Sequence, residues 1–120
     1  MNELLPHGTN SVVRGRGTIV PLAAVPAEEV AHGHPRVGEL TLGSLGNCEA
    51  GIWELRDGAM LDTEVDEVFV VISGSATIEL LDEQRSVDVR TGDVMRLTAG
   101  TRTRWTVKEH LRKVYLSVSE

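Results

Sequence analysis

The sequence predicts an all-β domain: a small barrel of two antiparallel sheets that follows an irregular N-terminal arm. Three observations support this prediction. Apolar and polar residues alternate with a period of two through residues 65–118, which is typical of strands rather than helices. Polar or glycine-containing segments interrupt the alternation about every eight to twelve residues. All four prolines lie within residues 1–35, which we assign to the arm, so that residues 36–120 form the barrel domain.

Within the arm, residues 18–20 read as a short edge strand because Pro21 follows them directly. Pro26 can open a single helical turn over residues 26–31, since proline is well suited to the first helical position. In the barrel, β-branched and alternating segments predict the longer strands, at residues 39–42, 49–55, 65–72, 76–81, 85–89, 94–97, 103–107 and 111–118. The intervening segments predict turns, at residues 57–58, 73–75, 82–84, 91–93, 99–100 and 108–110.

Composition bounds the class of protein. The chain has 120 residues, enough for one domain, and only 3% of them are aromatic, so the core must be largely aliphatic. A net charge of −6 argues against a protein that binds nucleic acid through its phosphates. Residues 49–93 hold twelve acids against three bases, whereas residues 94–120 hold six bases against two acids. We expect these segments to neutralise each other on neighbouring strands.

Cysteine and hydropathy patterns indicate the compartment. Cys48 is the only cysteine, which excludes an intramolecular disulfide and a cysteine-based zinc site. No apolar run approaches the roughly 18 residues that a membrane-spanning helix needs. The first residues lack a basic segment followed by an apolar one, as a secretory signal would have. We therefore expect a cytoplasmic protein with no membrane partner.

The spacing of a few residues resembles the two motifs of the cupin superfamily. Glu67 is followed by Gly74, and Gly92 by Gly100, at the intervals that those motifs use. The finer pattern is similar to that of small single-domain cupins of the ureidoglycine-aminohydrolase and ethanolamine-utilisation type, through its Gly51-Ile-Trp-Glu54, Asp66-Glu67-Val-Phe69, Arg104-Trp105 and Lys113-Val-Tyr115 segments. The resemblance implies a cupin jelly-roll barrel, and small cupins commonly form homodimers.

The resemblance also implies where a metal cupin would place its ligands. The first motif's histidine positions and the second motif's histidine position carry other residues here, namely Met60 and Asp62 or Leu61 and Thr63, and Thr103. Only Glu67 of the usual ligand set remains, and a lone carboxylate seldom holds a transition metal. We therefore predict no metal and no other cofactor, although Asp62, Glu64 and Glu67 leave oxygen donors available for a weaker site.

Glu67 is the leading candidate for a functional residue. It shares a strand face with Val65, Phe69 and Val71, and the cupin resemblance places that face inside the barrel. A carboxylate there is either a general acid or base or a structural partner of an Arg, Trp or Tyr side chain. Lys113 and Tyr115 share a face of the last strand and would assist Glu67 if that face points inward. Alternation alone leaves their direction open.

Two classes of function remain open from the sequence. In the first, the barrel binds a small polar or carboxylated metabolite, with Trp53, Phe69, Thr103 and Trp105 as the lining residues. In the second, the chain is a metal-independent enzyme, such as an aminohydrolase or isomerase, in which Glu67, Tyr115 and Lys113 are catalytic. A metal-dependent enzyme is the weakest of the readings because the histidines are missing.

Overall fold

A computed structural model describes residues 3–118, and within them it contains seven strands that pair only in antiparallel fashion. Two short 3-10 turns, Ala27–Glu29 and Leu81–Glu83, are the helical elements of the described chain. The strands are β1 (Ala23–Ala24), β2 (Val30–Leu45), β3 (Cys48–Thr63), β4 (Asp66–Leu80), β5 (Arg85–Arg90), β6 (Val94–Leu97) and β7 (Arg102–Val118). The predicted all-β class is confirmed.

The strands form one hydrogen-bonded path in the order β1-β2-β3-β7-β4-β5, and β6 also pairs with β4. The long strands β3, β4 and β7 bend at irregularities of register, between Arg56 and Gly58 in β3 and between Val71 and Thr77 in β4. A bend of this kind turns a strand from one wall of a barrel to the other. The same three strands therefore contribute to both walls of the barrel.

Three of the predicted turns are bends inside continuous strands instead. Residues 57–58 lie within β3, residues 73–75 within β4 and residues 108–110 within β7. Gly74 has φ +79°, and a Cβ there would lie 2.0 Å from the His110 carbonyl oxygen, so only glycine fits. Glycine is common in both bulges and hairpin turns, so Gly58 and Gly74 do not tell the two apart in the sequence.

The arm differs from its prediction in two strands. The edge strand lies at Ala23–Ala24 and pairs with Arg36 and Val37, not at residues 18–20. Residues 18–20 instead lie across the outer face of the sheet, where Val20 packs with Leu42 and Ile52. The helical turn after Pro26 is confirmed as the 3-10 turn, and β2 begins at Val30, within the segment assigned to the arm.

A buried ion pair fastens the arm to the barrel. The Arg112 Nε donates to Glu54 Oε1 at 2.7 Å, and Nη1 donates to the carbonyl oxygens of Gly15 at 2.8 Å and Thr18 at 2.6 Å. Burial alone would raise the pKa of Glu54, but hydrogen bonds from Arg56 and Arg112 outweigh it and hold that pKa below its ordinary value. The Arg112 guanidinium thus links the arm to the barrel through three acceptors.

The interior is mainly aliphatic, as the composition predicts, with Phe69, Trp105 and Tyr115 as its buried rings. Acidic and basic strands neutralise each other on the surface, where Arg102 pairs with Asp82 and Arg104 with Glu79. In the described residues 3–118, no helix has the length and apolar character needed to cross a membrane.

Candidate functional site

A cavity of about 230 Å³ opens at one end of the barrel. Its walls come from the inward-facing ends of β2, β3, β4 and β7 and from the connection between β3 and β4. The lining is polar and mostly acidic, and it consists of Glu39, Glu49, Trp53, Asp62, Thr63, Glu64, Val65, Glu67, Lys113, Tyr115 and Ser117.

Strand register explains why these side chains meet. Trp53 of β3 pairs with Glu39 of β2 on one side and with Lys113 of β7 on the other. Ser117 of β7 likewise pairs with Glu49 and Glu67. Residues directly opposite each other on antiparallel strands point to the same face, so each of these rows projects into the barrel. The open question about β7 is resolved, because Lys113 and Tyr115 point inward.

The Lys113 ammonium lies at the floor of the cavity. Its Nζ is 2.5 Å from Glu67 Oε2, and the two side chains are 5% and 9% exposed. The same nitrogen lies 4.6 Å from the ring centroid of Trp53 and 4.5 Å from those of Phe69 and Trp105. These distances are within the range of cation–π attraction, so three rings and one carboxylate enclose the charge.

A second carboxylate, Glu64, is anchored beside this floor. Its Oε2 accepts hydrogen bonds from the Thr103 hydroxyl at 2.6 Å and from the Trp105 indole nitrogen at 2.9 Å. Its backbone is also fixed, because its N–H donates to the Thr101 carbonyl at 2.8 Å. Thr103 and Trp105 therefore position an acid of the cavity wall.

Tyr115 connects two further acids. Its hydroxyl donates to Glu39 Oε2 at 2.5 Å, and Glu49 Oε2 lies 3.3 Å from the same oxygen. Burial, followed by the Glu39 and Glu49 carboxylates, raises the pKa of Tyr115 above its ordinary value, so the phenol remains a donor at neutral pH. One phenolic proton serves two carboxylates, which leaves acceptor capacity on this wall.

Gly51 makes room for this arrangement, because a Cβ there would lie 2.4 Å from the Tyr115 hydroxyl oxygen. We expect Gly51→Ala to displace the ring, break the bond to Glu39 and return the pKa of Tyr115 toward its ordinary value near 10. Tyr115 is the only tyrosine, so ultraviolet difference absorption of the phenolate during an alkaline titration measures it alone. Gly17→Ala is the control, because nothing lies within 4 Å of its added Cβ. Identical titrations of Gly51→Ala and wild type would contradict this account.

Asp62 is the acid with the most altered ionisation. Burial, and next the Glu64 charge, raise the pKa of Asp62 to about 6, although a hydrogen bond from the Thr63 amide and the Lys113 charge act in the opposite direction. Asp62 and Thr63 also line a neighbouring cavity of about 360 Å³, together with Glu29 and Arg102. Asp62 therefore lies between two openings and changes its charge near neutral pH.

The structure brings together most of the residues that the sequence singled out. Glu67, Lys113, Tyr115 and Trp53 line the cavity, whereas Phe69, Trp105 and Thr103 lie buried behind it. Sequence reasoning missed three wall residues, Glu39, Glu49 and Ser117, although Ser117 alternates with Lys113 and Tyr115 on the same face of β7. Glu49 had a signal, because it precedes Trp53 by four residues and so shares its face on an alternating strand. Glu39 had no such signal in the sequence, because its position in the cavity wall depends on the pairing of β2 with β3.

The residues at this end of the barrel do not fit the metal that many cupins hold. Of the positions that correspond to histidine ligands, Thr103 is engaged with Glu64, and Met60 is buried. The remaining family ligand, Glu67, is already paired with an ammonium ion. Among residues 3–118, no cluster of three or more His, Cys, Asp and Glu side chains is arranged to hold a metal ion. The donor set therefore lacks the imidazoles that such metals prefer.

Comparisons with known proteins agree with this architecture. Residues 42–115 match the family model of the EutQ-like cupin domain. The EutQ protein of Clostridium difficile has a TM-score of 0.62 and 18% identity, over 80% of this chain and 79% of that one. A Rhizobium leguminosarum protein of unknown function has a TM-score of 0.63 and 18% identity, over 70% and 82%.

A cupin-2 domain protein of Shewanella frigidimarina has a TM-score of 0.59 and 15% identity, over 68% of this chain and 80% of that one. Similarity at this level of identity shows the fold alone. No curated protein sequence matches the chain.

Proposed function

The chain belongs to the EutQ-like cupin domain family, and on that basis we propose that it binds a small polar metabolite in the cavity at the end of its barrel. The charge of the lining side chains indicates which class of metabolite the cavity prefers. Five carboxylates line the cavity, and among its described lining residues Lys113 is the one cation. Such a wall attracts a positively charged group and repels a carboxylate. The preferred ligand is therefore a small primary amine, rather than the carboxylated metabolite that the sequence left open.

The geometry supports a specific binding mode for that amine. The ligand ammonium would lie against Glu39 and Glu49, which share the single Tyr115 proton and retain acceptor capacity. Ser117 and Thr63 offer hydroxyl groups to the rest of the ligand. A volume of about 230 Å³ limits the ligand to a few heavy atoms, because drug-sized ligands occupy roughly 300–1,000 Å³.

Isothermal titration calorimetry with n-propylamine and with propionate tests this function. We expect the amine to bind and the carboxylate of matched size not to bind. Glu49→Gln should weaken amine binding about tenfold, because one charge-assisted hydrogen bond is lost. Glu83→Gln is the control, since Glu83 is exposed and pairs with Arg85 away from the cavity. Binding of propionate in preference to propylamine would overturn the proposal.

Amine binding should also depend on pH through Asp62. Its pKa of about 6 means that the cavity gains a negative charge as the pH rises from 5 to 7, so amine affinity should rise over that interval. Glu64, Glu29 and Lys113 are the charged groups that act on Asp62, and Asp62→Asn should flatten the profile. An unchanged profile in Asp62→Asn would show that another group controls the charge.

Acid–base catalysis is the second candidate, and the ionisation of Asp62 favours it. A group with a pKa near 6 can both accept and donate protons at neutral pH, whereas Glu67 is held by the Lys113 ammonium. In a metal-independent aminohydrolase or isomerase, Asp62 would therefore transfer the proton. Native mass spectrometry of purified protein would identify a retained metabolite, and turnover of that metabolite by wild type but not Asp62→Asn would support catalysis.

We propose that the chain forms a cytoplasmic homodimer through the outer face of β4, β6 and β7. Val68, Val94 and Leu116 are exposed there, and they continue the apolar surface that the arm covers next to Val114. Burying this face removes an exposed apolar patch. Val68→Lys should lower the mass measured by light scattering to that of a monomer, while Leu45→Lys at the β2–β3 hairpin should not. A monomeric wild type would contradict the dimer.

A further inference from the structure

Three of the four aromatic side chains of the protein surround Lys113. The chain has two tryptophans, one phenylalanine and one tyrosine. The ring centroids of Trp53, Phe69 and Trp105 all lie 4.5–4.6 Å from the Lys113 Nζ. The rings also contact one another, with centroids 5.1 Å apart for Trp53 and Trp105 and 5.6 Å apart for Phe69 and Trp105. The enclosure is therefore a packed unit and not a chance approach.

The chemistry of this enclosure suits an organic cation. Ring faces attract an ammonium ion through their quadrupoles, and a single carboxylate supplies the balancing charge. Ring faces do not replace the imidazoles through which proteins hold transition metals, and Glu67 alone cannot complete such a coordination sphere. Glu67 nevertheless stands at the position where the cupin pattern provides a metal ligand. The compartment thus holds one positive charge through an ion pair and cation–π contacts rather than through metal coordination.

We propose that this compartment, formed by Trp53, Phe69, Trp105 and Glu67, is a built-in ammonium site in which the Lys113 side chain replaces the metal ion of the cupin fold. Emptied of the lysine, it accepts a free alkylammonium ion and rejects divalent transition metals. The inference concerns the floor behind the cavity and holds whether or not the outer cavity binds a metabolite.

Lys113→Ala provides the test, because the atoms removed correspond to n-propylammonium. We expect n-propylamine to raise the melting temperature of Lys113→Ala saturably, with an affinity about tenfold or more above any that wild type shows. n-Propanol has a similar shape without the charge and should have no such effect. The variant should be prepared with Glu49→Gln as well, so that binding to the outer cavity is suppressed.

The outcomes separate this inference from the proposed function. Amine binding by wild type reports the outer cavity, whereas the additional binding in Lys113→Ala reports the compartment. Stoichiometric binding of Mn²⁺ or Zn²⁺ by Lys113→Ala would overturn the inference, and so would a folded variant that binds neither metal nor amine. Lys108→Ala is the matched control, because Lys108 is the only other lysine and is exposed.

A measurement on the wild type tests the enclosure if Lys113→Ala does not fold. Because the chain has two lysines, brief acetylation of the native protein followed by peptide mass spectrometry compares them directly. We expect Lys108 to be modified and Lys113 to be protected until the protein is denatured. Trp53→Leu, which removes one wall of the enclosure, should speed modification of Lys113. Equal modification of both lysines in the native wild type would contradict a closed compartment.

Discussion

Lys113→Met is expected to lower the free energy of unfolding by about 3–5 kcal/mol, because it leaves Glu67 as an unpaired buried carboxylate. Methionine preserves most of the volume of the lysine stem, so the loss reports the charge rather than a cavity. Chemical denaturation by urea, followed by tryptophan fluorescence, measures it, since both tryptophans adjoin the lysine.

A double substitution distinguishes a buried charge from poor packing. Lys113→Met combined with Glu67→Leu removes both charges and should recover much of the lost stability, since apolar replacement of a buried pair is often neutral or stabilising. Lys108→Met is the matched control and should change stability by no more than about 0.5 kcal/mol, as exposed substitutions usually do. If the double variant is no more stable than Lys113→Met, the lysine acts through packing alone.

Arg112→Met is expected to release the N-terminal arm and to cost about 3 kcal/mol of stability. The substitution removes one of the two arginines that pair with buried Glu54, and it leaves the carbonyl oxygens of Gly15 and Thr18 without their donor. Limited trypsin digestion measures the release, because Arg14 and Arg16 lie on the attached segment. Cleavage there should be much faster in the variant than in wild type.

Arg112→Lys should rescue little of this loss, since an ammonium group lacks the planar fork that reaches three acceptors. Arg104→Met is the control, because Arg104 is exposed and its Nη1 lies 3.7 Å from Glu79. Slow cleavage in Arg112→Met, together with an unchanged unfolding midpoint, would show that apolar contacts of Val20, Leu42 and Ile52 hold the arm without the arginine.

The Arg112–Glu54 ion pair should also affect how stability depends on pH. The pKa of Glu54 is lowered in the folded chain, so its contribution is present above the ordinary carboxyl value and is lost as the pH falls through the folded value. Asp62 acts in the opposite direction, because its pKa is raised in the folded chain. Between about pH 4 and 6 the folded chain holds a proton that the unfolded chain has released, so the Asp62 contribution to stability falls as the pH rises through that interval.

The strand faces of the site could be predicted from the sequence. Glu67 was assigned to the face of Phe69 and Val71, and those two residues are 1% exposed in the interior. Gly51, Trp53 and Glu54 stood out as a motif whose physical roles the structure now supplies. Gly51 gives Tyr115 room, Trp53 covers Lys113, and Glu54 points the opposite way to bind Arg112.

Turns and bends could not be separated in the same way. Gly58 and Gly74 both lie in the positive-φ region that favours glycine, and the sequence pattern reads such positions as strand ends. Both belong to continuous strands, because the partner strand bends with them and the ladder resumes on the far side. The decision between a turn and a bend rests on the partner strand, which local sequence does not contain.

By itself the sequence determined the β class, the family, and which side chains share a face, because alternation is a local property of an extended backbone. Only the tertiary structure decided that the Lys113 and Tyr115 face is the interior one, and that Glu67 meets a lysine 46 residues away. It also brought Glu39 to Tyr115 across 76 residues. Register between distant strands sets these encounters, and register follows from the packing of the whole barrel rather than from any one segment.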